Sequence, residues 1–186
     1  MHSTGIEIER KFRLHAAPPA EELAAREEDA WRVEQVYLSR GDDGLHRRVR
    51  RIEHADGSVE LVLTHKGSIG NGTISRHEHE ESLTQGEYEA LLAEADPARR
   101  PIRKTRHVVP HGRQVLEIDV FDVPAGLVVA EVELEDEDEP VVLPDWIGAW
   151  YEVTRDIRFM NAALARPDAE VPPFPAQPED DDRAWA

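Results

Sequence analysis

The chain has 186 residues, no cysteine and a formal net charge of −17. That charge argues against nucleic acid as the main partner, because binding a phosphate backbone needs a basic surface. The lack of cysteine removes disulfides, thiol nucleophiles and thiolate metal sites, and no apolar run is long enough to span a bilayer, so no membrane partner is expected.

The first predicted strand centres on Glu7-Ile8-Glu9-Arg10-Lys11. Its alternation has period two, the period of a strand. One face carries Glu7, Glu9, Lys11 and Arg13, and the other Ile6, Ile8, Arg10 and Phe12. Two carboxylates followed by two cations suit a divalent metal beside an anionic group. Pro18 and Pro19 then open a predicted helix over 20–30. Strands are predicted over 31–40, 44–52 and 59–66, with turns at Asp42-Asp43-Gly44 and Asp56-Gly57. The glycine-rich loop 67–72 lacks the lysine and the strand–helix context of a P-loop.

A further strand is predicted over 74–83. His77 and His79 share its face opposite Arg76, Glu78 and Glu80. Neither has a third ligand-type residue at a fixed spacing, so they read as outward-facing or packed rather than as metal ligands. Thr84-Gln85-Gly86-Glu87 matches a capping box, and Tyr88, Leu91 and Leu92 give the apolar stripe of a helix ending before Pro97. Strands resume over 102–109, 114–121 and 127–134, the first two joined by a turn at Pro110-His111-Gly112. Short helices are predicted over 145–150 and 159–164. The length suits one domain over 1–166, followed by a flexible, acidic, proline-rich tail over 167–186.

The opening pattern recurs in order. Arg48 and Arg50 share a face, as do Thr64 and Lys66, Arg76 with Glu78 and Glu80, Lys104 and Arg106, Glu117 and Asp119, and Glu131 and Glu133. One such strand reads as a solvated sheet face. A series carrying both signs fits a closed barrel with a charged lumen and apolar outer faces under helices. An acidic chain can still take a small polyanion, which needs only a local cluster of cations. Such clusters lie at 46–51 and at Arg99, Arg100, Arg103, Lys104 and Arg106.

This order of motifs, over residues 5–165, resembles the CYTH domain family, the triphosphate tunnel metalloenzymes. The resemblance is carried by Glu7-Ile8-Glu9-Arg10-Lys11, Gln35-Val36-Tyr37-Leu38, Arg48-Val49-Arg50, Thr64-His65-Lys66, Ser75-Arg76-His77-Glu78, Lys104-Thr105-Arg106, Glu117-Ile118-Asp119, Glu131-Val132-Glu133 and the stretch from Glu152 to Asn161. Where relatives often carry lysine after the terminal aromatic, Met160 and Ala162 stand here, leaving Arg158 for a C-terminal phosphate contact. The resemblance implies an α+β fold, a closed eight-stranded antiparallel β-barrel (tunnel) with peripheral helices. It implies hydrolysis of inorganic triphosphate to diphosphate and phosphate, with Mg2+ or Mn2+, as in the short bacterial inorganic triphosphatases. The alternatives are a nucleoside- or thiamine-triphosphatase, a class IV-type adenylyl cyclase, or a polyphosphate- or nucleotide-binding module with little turnover. On this reading Glu7, Glu9, Glu131 and Glu133 hold a metal. Glu78, Glu80, Glu117 and Asp119 hold a second metal or orient water. Lys11, Arg48, Arg50, Lys66, Arg76 and Arg158 bind the phosphates, and Lys104, Arg106 and Tyr37 act at the reacting group. A cytoplasmic monomer or homodimer is the expectation.

Overall fold

The computed structural model describes the backbone of residues 2–39, 46–68 and 75–175, and the side chains of 8–39, 47–65 and 79–175. Alternating sequence becomes strand nearly throughout: β1 (His2–Leu14), β2 (Asp29–Tyr37), β3 (His46–Glu53), β4 (Val59–Ser68), β5 (Ser75–Ser82), β6 (Ile102–His111), β7 (Gln114–Val123), β8 (Val128–Glu133) and β9 (Trp150–Glu152). They form one antiparallel sheet in the order β5-β4-β3-β2-β6-β7-β8-β1-β9, with an additional pairing between β5 and β1. The long first strand pairs with β5 over its N-terminal half, with β8 over Glu9–Arg13, and with β9 over Phe12–Leu14. The turns expected at Asp56-Gly57 and Pro110-His111-Gly112 both form, with Gly57 at φ 84 and Gly112 at φ 64, where a side chain would be strained. The expected turn at Asp42-Asp43-Gly44 and most of the loop 67–72 lie outside the described residues.

Period two sorts each strand into two faces. On the apolar face, Phe12, Leu14, Leu116, Ile118, Ala130 and Val132 form one buried cluster with Leu23 of helix α1 (Ala20–Ala24) and Ile147. Val49, Leu63 and Leu38 form another with Tyr88 of helix α2 (Gln85–Leu92). Each fully buried aliphatic side chain contributes about 1.5–3 kcal/mol. Helix α2 starts as expected: the Thr84 hydroxyl accepts from the Glu87 amide at 3.4 Å, and the Glu87 carboxylate accepts from the Thr84 amide at 2.8 Å.

Three helical expectations are corrected. The helix over 20–30 ends at Ala24, because the chain joins β2 by Asp29 and the Glu28 amide already bonds the Val108 carbonyl of β6. The helix over 145–150 is only a 3-10 turn, Asp145–Ile147; Gly148 at φ 78 breaks it, and Trp150–Glu152 becomes β9. The helix over 159–164 is a 3-10 turn, Ile157–Phe159, capped by Asp156, followed by helix α3 (Asn161–Leu164). Beyond it Arg100 bonds the Leu164 and Ala169 carbonyls, and the Phe174 ring packs edge-on against His15 and Tyr151. No helix among the described residues is long and apolar enough to cross a membrane.

Candidate active site

The other face of the sheet buries charge. Glu9, Lys11, Arg48, Lys104, Asp119 and Glu131 are each at most 9 % exposed. Burying that many ions is unfavourable unless each is compensated. The compensation is a network across four strands. The Lys11 ammonium of β1 bonds Glu131 of β8 and lies 3.1 Å from Glu9. Lys104 of β6 bonds Asp119 of β7. Arg106 of β6 reaches furthest: its fork bonds Asp119 at 2.7 and 2.8 Å, Glu131 at 2.6 Å, and also Glu117. Register explains the reach, since Arg106 is the Cα partner of Asp119, and Glu117 that of Glu131.

The network sets protonation. Burial pulls Lys11 down, but Glu131 and Glu9 outweigh it, and its pKa stands above the ordinary lysine value. Burial also opposes the charge on Glu131, yet Lys11, Arg106 and Lys104 hold it well below the usual carboxylate range. Lys104 goes the other way. Burial and the neighbouring Arg106 charge lower it, and Asp119 and Glu131 only partly restore it. Glu117 is raised by burial, against the pull of Arg106.

On the β2–β5 side, the Arg50 guanidinium bonds Glu80, which also accepts from the Thr64 hydroxyl at 3.0 Å. Arg48 stands beside them, opposite Tyr37 and Thr64 in register. Gln35, 1 % exposed and the Cα partner of Arg50, has a side-chain nitrogen with no hydrogen-bond partner. A buried donor left unmatched is rare and costs about 1–3 kcal/mol, so it marks a place for an acceptor. The sequence offered no signal for Gln35 beyond its position in the Gln35-Val36-Tyr37-Leu38 run. Two apolar patches adjoin the belt on the same face: Val33, Ile52 and Val62 with Trp31, and Ile102, Phe121 and Val129 with Tyr37 and Phe159.

The structure therefore brings together Glu9, Lys11, Lys104, Arg106, Glu117, Asp119 and Glu131, and separately Arg48, Arg50 and Glu80. Glu133 is the register partner of Glu9 but is exposed, and with Glu117 it lines a cavity of about 1120 Å³ whose walls include Glu135, Asp136 and Asp138. Tyr37 lies in the apolar patch with the Arg99 guanidinium 5.2 Å from its ring centre. The ring beside the Lys104 ammonium is that of Phe121, at 5.4 Å. Arg158 is not gathered in: its side chain is 66 % exposed and forks onto Asp156. Arg13, on the Glu9 face, spends its guanidinium on the Leu14, Val128 and Gly126 carbonyls. The side chains of Glu7, Lys66, Arg76 and Glu78 lie outside the described residues; in the backbone, Glu7 is opposite Arg76 and Lys66 opposite Glu78.

Residues 5–162 fit the CYTH domain model. An inorganic triphosphatase of Acetivibrio thermocellus is 38 % identical over 137 residues, covering 70 % of this chain and 86 % of the relative. A solved inorganic triphosphatase structure is 30 % identical, with a TM-score of 0.56 over 89 % of this chain and 99 % of that one. A structure from Pyrococcus horikoshii, 17 % identical with a TM-score of 0.51 over 71 % of this chain and 81 % of that one, shares the fold. The family model spans most of the chain and the relatives cover it at 30 % identity or more, so this chain belongs to the CYTH domain family.

Proposed function

We propose that the chain hydrolyses inorganic triphosphate to diphosphate and phosphate on the charged face of its sheet. The observation that carries this reading is the buried belt of matched ions around Arg106. Two relatives that this chain covers over 86 % and 99 % of their length are inorganic triphosphatases, which supports the same substrate. The pairing of β1 with both β5 and β8 supports a closed tunnel of eight strands, with the belt as its lumen.

In the structure the belt neutralises itself. Triphosphate offers its cations better-matched anions: Arg48 and Arg50 fork onto phosphate oxygens, Lys11 supplies a point charge, and the Gln35 amide gains an acceptor. Lys66 and Arg76 extend this set in our reading. The carboxylates released from their cations would hold a divalent cation, because they cannot face phosphate directly. Glu9, Glu131 and Glu133, with Glu7, offer hard oxygen donors that suit Mg2+ or Mn2+. Among the described residues no three such side chains already converge on one point, and Mg2+ does not require it, since one or two carboxylates, waters and substrate oxygens complete its shell. Bound there, the ion would neutralise phosphate charge and acidify water.

The chain's own residues carry the rest. Hydrolysis forms a bond from water oxygen to the terminal phosphorus and breaks the bridge to diphosphate. This demands position and charge neutralisation more than covalent help. Lys104 and Arg106, fixed by Asp119, stand where charge on the transferring phosphoryl group is met. Glu117, whose pKa burial raises, orients the attacking water and accepts its proton. Glu80 holds Arg50 in place.

Phosphate release from triphosphate, ATP, thiamine triphosphate and long-chain polyphosphate, each with Mg2+ or Mn2+, tests the proposal. Fastest release from triphosphate supports it; no release from triphosphate with either ion overturns it.

A further inference from the structure

Contrary to the expectation for His77 and His79 from spacing alone, Glu81 lies two residues from His79 and on its face, and strand register adds His65. His65 on β4 is the antiparallel Cα partner of His79 on β5. The two rings lie 6.2 Å apart between centroids, tilted by 49°. Glu81, two residues along β5 and so on the same face, places its Oε1 3.0 Å from His79 Nε2. The neighbours Thr64 and Glu80 bond each other on the opposite, charged face, so this trio is outside the belt. The His79 and Glu81 side chains are 39 % and 36 % exposed, open to an ion from solvent.

We propose that His65, His79 and Glu81 bind a borderline divalent transition metal, of which Zn2+ is the type, on the outer face of the β4–β5 pair. Two imidazole nitrogens and one carboxylate select Zn2+, Ni2+ or Cu2+ over Mg2+. Metal–nitrogen bonds of about 2 Å place two coordinated rings roughly 5 Å apart between centroids, so the rings must close by about 1 Å and turn a nitrogen each toward the ion. Among the described residues no three ligands converge ready-made; the ion inserts into the His79–Glu81 contact and draws His65 across the ladder. The nearby cation Arg47, register partner of His65, is bonded to Glu94 at 3.1 Å. With three protein donors the fourth position belongs to water. The ion would staple β4 to β5.

The test is calorimetric titration of Zn2+ into the full chain at neutral pH under saturating Mg2+, which occupies the hard carboxylate donors. The wild type should take one Zn2+. The double variant His65→Asn/His79→Asn should lose that site or bind at least about tenfold more weakly, because loss of direct ligands costs no less than the 10- to 100-fold of outer-shell partners. His54→Ala, which removes a second His–carboxylate cluster, with Asp29 and Glu60, should leave it intact. Zn2+ should also shift the ring-proton resonances of His65 and His79 together in the wild type, a readout that needs no variant. Unchanged Zn2+ affinity in the double variant, or neither ring responding in the wild type, would overturn the proposal.

Discussion

The two walls of the charged face are built differently. On the β6–β7–β8–β1 wall, Lys11, Lys104 and Arg106 interlock with Glu9, Glu117, Asp119 and Glu131, with Lys104 4 % and Asp119 0 % exposed. On the β2–β5 wall, Arg50 and Glu80 pair at 17 % and 31 % side-chain exposure, near Thr64 and the unmatched Gln35 amide. In the first wall Asp119 holds Lys104 and Arg106 in place, the condition in which fixed charges stabilise a transition state with little reorganisation. The second is more open and still has a hydrogen bond to give. We assign chemistry to Lys104 and Arg106 of the first wall and substrate capture to the second, with Lys11 of the first wall assisting capture.

The largest expected effect is on the first wall's own stability. Arg106→Ala strands Glu117, Asp119 and Glu131 without their shared partner, and breaking a buried ion network this way costs about 3–5 kcal/mol. Urea unfolding should show that loss, and a much smaller one for Arg50→Ala on the second wall. Equal losses would erase the distinction between the walls. Next in size is turnover. Glu9→Gln and Glu133→Gln keep shape but lose a charged oxygen, and each should lower triphosphate hydrolysis by about 100-fold or more at limiting Mg2+. Near-normal rates would remove these carboxylates from the metal site.

A smaller effect concerns pH. The Lys104 pKa is lowered from 10.5 by burial and by Arg106. A lysine is cationic below its pKa, so a lowered value loses the charge earlier as pH rises. The alkaline limb of kcat/KM, which reports the free enzyme, should therefore fall below the ordinary lysine range. In Lys104→Arg that limb should move upward; an unmoved limb would assign it to another group. The smallest effect is expected at Arg158, exposed and held by Asp156. Arg158→Ala should change stability by no more than about 0.5 kcal/mol and leave turnover near that of the wild type.

Much of this was legible in alternation alone. Period two puts Glu9 with Lys11, Lys104 with Arg106, and Glu117 with Asp119 on common faces, and burial follows those faces. Which charges meet was not legible, because Arg106 reaches Glu131 only through a register that skips from β6 across β7 to β8. The same holds for His65 and His79. Helix α1 stops short of the predicted 20–30 because pairing with β6 outcompetes helical propensity from Asp29 onward. Strand β9 has three residues and no pattern of its own; only its partners Phe12–Leu14 make it a strand. Tyr37 and Arg158 carry motif positions whose surroundings, an apolar patch and open solvent, are set by tertiary packing.

The most direct test of the division between walls is steady-state kinetics on triphosphate for Lys104→Ala against Arg50→Ala. If Lys104 meets charge that develops in the transition state, its loss should lower kcat by about 100-fold or more with KM little changed. Arg50→Ala should mainly raise KM. Equal defects in the two variants, confined to KM, would contradict the account and leave both walls as binders only.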